Sequence, residues 1–149
     1  MSFNSIISTL PYTYPFLFVD EILQIDEESC TGTYRFPNDS YFYKGHFKDN
    51  PVTPGVILTE CMAQIGVVCL GSFLLNITNQ ENPALTENIQ IALSSSQIDF
   101  FIPVYPGEQI KVVSKKEYFR FNKLKCGVEM FNSNNELVCR GTIAGMIRK

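Results

Sequence analysis

From Val56 to Leu74 apolar residues crowd the chain without a clear polar stripe: Val56, Ile57, Leu58, Cys61, Met62, Ala63, Ile65, Val67, Val68, Leu70, Phe73 and Leu74. Pro54 suits a first helical turn and Thr53 is an acceptable cap before it, so the pattern predicts a helix over 54–75. A helix without a polar face belongs inside a protein. Its length approaches the ~20 residues of a membrane span. Glu60 and Gln64 interrupt it, however, and no Lys or Arg cluster flanks it, which favours a core helix because intramembrane carboxylates are costly. Beyond a polar connection over 76–88 the period changes. Segments 89–101, 109–121, 124–131 and 137–147 are enriched in β-branched and aromatic residues and read as strands, and 16–25 and 30–36 could add two more upstream. Pro106-Gly107 marks a turn, and Asn132-Ser133-Asn134-Asn135 looks like a hairpin loop. Short turns imply an antiparallel sheet, and one apolar helix and one long sheet bury each other only if the sheet curls around the helix. The expectation is an α+β architecture with a central helix, in a single domain over 1–149.

Charge and composition narrow the function. The net charge of −3 argues against nucleic acid as the main partner. It is unevenly spread: Lys111, Lys115, Lys116, Arg120, Lys123 and Lys125 face only two acidic residues between 108 and 125. That run reads either as solvated strand faces or as a docking surface for an acidic partner. Five cysteines without short paired spacing, together with a single histidine, leave no zinc-type cluster to assemble. Free thiols in a reducing cytoplasm are the simplest reading. Residues 1–9 lack a basic region followed by an apolar run, so no signal peptide is expected.

The candidate chemistry lies around the start of the helix. The only histidine, His46, sits in a loop between aromatics, Tyr43-Lys44-Gly45-His46-Phe47. Glu60 lies about two turns inside the apolar helix, where a carboxylate is rare unless it is paired or functional. Gln64, at i+4, can reach it and hold its orientation, either as a structural hydrogen bond or as part of a site. Between them run Pro51-Val52-Thr53-Pro54-Gly55-Val56. The prolines fix the loop, Gly55 lets backbone approach a ligand, and free N–H groups at a helix start favour a developing negative oxygen. A base, an acid and an oxyanion donor are the parts needed to form an enolate.

Gly45-His46-Phe47, then Pro51 to Val56, then Glu60-Cys61-Met62-Ala63-Gln64 resemble the active-site motif of the 3-hydroxyacyl-[acyl carrier protein] dehydratases of type II fatty acid synthesis. Leu10-Pro11 with Tyr14-Pro15-Phe16-Leu17-Phe18-Val19-Asp20, and Phe100 with Pro103-Val104-Tyr105-Pro106-Gly107-Glu108-Gln109, are similar to further family segments in the same order. The resemblance implies a hotdog fold, an antiparallel sheet wrapped around a long helix. It also implies a homodimer with each active site at the interface, His46 of one chain facing Glu60 of the other; many members assemble further as trimers of dimers, that is, hexamers. By the same resemblance His46 takes the C2 proton, Glu60 protonates the departing C3 hydroxyl, the Gly55 N–H binds the thioester oxygen, the Val52 carbonyl orients His46, and Gln64 supports Glu60. The substrate is a 3-hydroxyacyl chain on an acyl carrier protein, to which the basic 111–125 run is suited. No metal or organic cofactor is required, because the thioester itself acidifies C2. Met62, Phe100 and Phe101 are candidates to line the acyl tunnel, with ordinary core packing as the competing role.

Some positions depart from the family pattern. Lys48 stands where proline is usual, Thr53 replaces a common methionine, Tyr12-Thr13 replaces a His-Arg pair, and Phe101 and Ile102 fill positions that are often basic. None removes a catalytic group, but they leave the substrate open: a polyketide or polyene pigment pathway is as compatible as housekeeping fatty acid synthesis. Chain length, assembly beyond a dimer and isomerisation of the enoyl product are not encoded legibly. A hotdog thioesterase and a non-catalytic acyl-binding module are the alternative functions.

Overall fold

A computed structural model describes residues 3–78 and 90–148. Six strands form one sheet: β1 Glu21–Ile25, β2 Ser29–Arg35, β3 Gln90–Phe100, β4 Gln109–Arg120, β5 Lys123–Phe131 and β6 Leu137–Arg148. Their order is β1-β2-β4-β5-β6-β3, and every neighbouring pair is antiparallel. Ile89, expected as the first residue of the third strand, and the 79–88 part of the polar connection lie outside the described residues.

The central helix runs Gly55–Thr78. By length and composition it could cross a membrane, yet it is mostly buried inside the protein, as the core-helix reading expects. Its middle turn, Gln64–Val68, is π-helical. The sheet curls around it: on β5 the alternation is strict, with Leu124, Cys126, Val128 and Met130 pointing inward against the helix side. Gly66 shows how close the two layers come, since a Cβ there would lie 2.9 Å from the Ser114 Cβ and 3.1 Å from a Val128 methyl. This is the helix-in-sheet arrangement expected of a hotdog fold.

The turns follow local chemistry. Asp26 Oδ1 accepts from the Glu28 and Ser29 N–H groups at the β1–β2 turn. Asn132 Oδ1 accepts from the Asn134 and Glu136 N–H groups in the β5–β6 loop. The β4–β5 turn is carried by Phe121 and Asn122, both at positive φ (53° and 61°).

Two local expectations are corrected. The helix starts at Gly55 with Pro54 as its N-cap, without a side-chain cap, because the Thr53 hydroxyl is bonded elsewhere. The upstream strand is shorter than 16–25: residues 16–20 form a loop whose backbone is paired with a side chain from the helix, the Phe18 N–H donating to Gln64 Oε1 and the Phe16 carbonyl accepting from Gln64 Nε2. A 3₁₀ segment at Phe3–Thr9, not foreseen, anchors itself by Ile6 in the core and by Asn4, which accepts from the Ile22 N–H.

Candidate active site

His46 is held in a loop tied at both ends. Its N–H donates to the Phe42 carbonyl, its carbonyl accepts from the Val52 N–H, and the Phe47 ring stacks on the imidazole at 4.0 Å. Imidazole Nδ1 lies 2.9 Å from the Val52 carbonyl. A carbonyl can only accept, so Nδ1 carries the proton and the lone pair is on Nε2, the nitrogen left to act as a base. The Tyr43 and Thr53 hydroxyls, 2.6 Å apart and buried, fasten this loop to the segment before the helix. The Thr53 N–H donates to the Val104 carbonyl and fastens it to the connection between β3 and β4. Neither role was legible beforehand; the clue was a polar residue, Thr53, at a position that is commonly methionine.

Gly55 opens the central helix, so its N–H has no acceptor within the helix and stays available to an oxyanion. The Phe100 ring lies against it: a Cβ at Gly55 would come 3.2 Å from two ring carbons. Gly55 and Phe100 are thus brought together, while Phe101, exposed like Phe100, follows at the end of β3. Met62 lies elsewhere, wholly buried, with its sulfur accepting from the Cys139 thiol at 3.8 Å.

Glu60 is half-buried on the helix, and Gln64 is completely buried. Gln64 Nε2 donates both to Glu60 Oε2 (2.9 Å) and to the Phe16 carbonyl (3.0 Å), while Oε1 accepts from the Phe18 N–H (2.8 Å). With both amide hydrogens committed, Gln64 holds one carboxyl oxygen and leaves the other, Oε1, free to carry a proton. Burial pushes the Glu60 carboxyl above the ordinary carboxylate range, and the Gln64 hydrogen bond pulls it partly back. Glu60 faces a recess shared with Tyr12 and with β3 and β6, not the His46 loop. Among the described residues no hydrogen bond joins His46 to Glu60 within one protomer.

A family model described as the FabA-like domain matches residues 10–142, and the chain belongs to the FabA-like family. Among its relatives is the 3-hydroxyacyl-[acyl-carrier-protein] dehydratase FabZ of Caldicellulosiruptor saccharolyticus, 32% identical over 150 residues that cover 97% of each chain. The FabZ of Ehrlichia ruminantium is 32% identical over 158 residues, covering 100% of this chain and 99% of that one. Within the family, the chain therefore belongs with the 3-hydroxyacyl-[acyl-carrier-protein] dehydratases. Among solved structures, the dehydratase heterocomplex ApeI:P from Xenorhabdus doucetiae superposes with a TM-score of 0.76 at 12% identity, over 96% of this chain and 91% of that chain. A thioesterase from Haemophilus influenzae superposes at 0.59 with 16% identity, over 87% and 78%. At such identities these two define the fold, the hotdog, and not the reaction.

Proposed function

We propose that the chain reversibly dehydrates a 3-hydroxyacyl thioester on acyl carrier protein to the trans-2-enoyl thioester, with His46 as base and Glu60 as acid. The observation that carries the assignment of roles is the pair of hydrogen bonds that leave one reactive atom on each group: Nδ1 to Val52, which frees His46 Nε2, and Gln64 to Oε2, which frees Glu60 Oε1. Nε2 takes the C2 proton, the Gly55 N–H stabilises the negative charge on the thioester oxygen, and Oε1 delivers its proton to the leaving hydroxyl. Val52 and Gln64 orient the two groups. Phe100, on Gly55, forms part of the acyl entrance together with Phe101.

The site is built by two chains. β3 ends the sheet, so one of its edges is unpaired within the protomer. Exposed Leu93, Phe100 and Phe101 on or beside that strand, with Val56 (77% exposed) and Phe47 near the helix start, leave an apolar surface of the kind that marks an interface. A two-fold pairing there covers it and supplies Glu60 of one protomer to His46 of the other. The acidic acyl carrier protein is met by the basic residues of β4 and β5, and the enzyme works in the cytoplasm.

The test is turnover of carrier-linked 3-hydroxyacyl chains of several lengths, followed by mass spectrometry. Formation of the enoyl thioester is expected; release of the free carrier thiol without it would make the protein a thioesterase.

A further inference from the structure

Two hydroxyls are buried beside the base, and the steps above leave them without a chemical task. Tyr43 lies three residues before His46, on the 3₁₀ turn Tyr41–Lys44, and Thr53 lies two residues before Gly55. The two residues are 7% and 4% exposed, and among the described residues each hydroxyl has only the other as its hydrogen-bond partner. What their bond holds is one peptide unit, the one joining Val52 to Thr53. Its carbonyl lies 2.9 Å from His46 Nδ1, and its N–H donates to the Val104 carbonyl at 2.8 Å. Val104 is fully buried between β3 and β4, which fixes that acceptor. The bonds run in a row from Val104 through the peptide to the imidazole, so that each polarises the next. On the other side of Thr53 only Pro54, whose ring fixes its φ at −59°, separates it from the Gly55 N–H.

We infer that Tyr43 and Thr53 are positioning residues for the reaction: their hydrogen bond fixes the 52–53 peptide, and through it the spacing between the His46 base and the Gly55 oxyanion donor. The inference rests on the dehydratase roles proposed for those two groups. Thr53 is the hub because the chain leaves it in both directions toward the chemistry. A peptide unit free to rock about its flanking bonds would tilt the Val52 carbonyl away from Nδ1 and carry the Gly55 N–H with it. The Tyr43–Thr53 bond crosses from the arm of the loop that enters His46 to the arm that leads to the helix, and closes the loop against that rocking. Stability alone does not call for two hydroxyls here, since an apolar pair of the same shape fills a buried site at little cost. What an apolar pair lacks is direction: a hydrogen bond sets a distance and an angle, whereas packing sets only a volume. Burial raises the Tyr43 phenol above its ordinary value, so it stays a neutral hydroxyl at the pH of the reaction.

The test separates positioning from packing with Tyr43→Phe, Thr53→Val and the variant that carries both. Each single change strands one hydroxyl in the interior and should lower both the urea midpoint and kcat. The double change strands none, so its midpoint should return close to that of the wild type. Its kcat should nevertheless stay about tenfold down, with KM for the carrier-linked thioester changed by less than about twofold. Thr53→Ser keeps the hydroxyl and should hold kcat within about twofold of the wild type. Because His46 is the only histidine, the untagged protein gives imidazole signals from this one ring. Its Nδ1–H resonance should be sharp in the wild type and in Thr53→Ser, and broadened by exchange with water in the double variant. A double variant that regains kcat along with its midpoint would reduce the pair to packing and overturn the inference. Should the double variant not fold, Thr53→Val against Thr53→Ser decides, and equal kcat in those two overturns it likewise. A wild type that forms no enoyl thioester would instead remove the reading on which the inference rests.

Discussion

At the scale of single residues, His46 and Glu60 are each held by one partner that dictates what the other side of the group can do. His46→Ala should cut turnover by about 10²–10⁴-fold, the usual share of a general base. Circular dichroism and the oligomer's mass should not change, since the Tyr43–Thr53 hydrogen bond and the backbone bonds of residue 46 to Phe42 and Val52 still fasten the loop without the imidazole. Glu60 makes a second prediction, about stability. Its carboxyl is raised in the folded protein by burial. The stability it contributes is therefore whole below the unfolded carboxylate value of about 4.3 and is lost as pH rises through the higher folded value. Glu60→Gln removes that dependence and still offers Gln64 an acceptor. The variant's urea midpoint should match the wild type near about pH 4 and exceed it near about pH 8; a gap that shrinks with rising pH would refute this. Both residues stand out in the sequence because their surroundings do not suit them: a carboxylate in an apolar helix, and the only imidazole among aromatics. The recess that Glu60 shares with Tyr12 is not legible in the sequence, because only the folded sheet brings β3 and β6 around them.

At the scale of elements, periodicity marks most boundaries to within a residue or two, since a half-buried strand such as β5 shows its alternation directly. What fails is whatever a long-range side chain decides. Residues 16–20 have strand-like composition, but the Phe18 N–H and the Phe16 carbonyl are taken by Gln64, 46 and 48 residues away. Thr53 has the look of a helix cap but answers to Tyr43. The π turn at Gln64–Val68 likewise leaves no mark in the apolar run, which looks the same in either helical form. The closeness of helix and sheet gives a prediction at this scale. Gly66→Ala should destabilise the fold by about 1–3 kcal/mol, because neither Ser114 nor Val128 can withdraw from an interior packed at both sites. Urea unfolding measures it, and an unchanged midpoint would mean that the sheet yields more readily than its burial implies.

At the scale of the whole molecule, the unpaired β3 edge and the separation of Glu60 from the His46 loop support the proposal of a site shared by two chains, which a complementation experiment tests. His46→Ala and Glu60→Gln should each be inactive, yet refolding them together at equal amounts should restore about a quarter of wild-type activity, since half of the randomly paired dimers carry one intact site of two. No recovery would place both residues of each site in one chain. The sequence carries the dimer only through the family resemblance, because the edge strand and the exposed residues beside it are properties of the folded sheet. The five free cysteines add a consequence of another kind. Cys30 sits on β2, Cys61 and Cys69 on the helix, Cys126 on β5 and Cys139 on β6, all buried. An alkylating reagent can reach them only when the structure breathes, so the number of labels gained per molecule is a count of which layers have opened. If helix and sheet part in one concerted event, intermediate masses stay rare and the five labels arrive together. If the helix loosens first, Cys61 and Cys69 are tagged ahead of the strands, and the protein reports its own order of unfolding without any added probe.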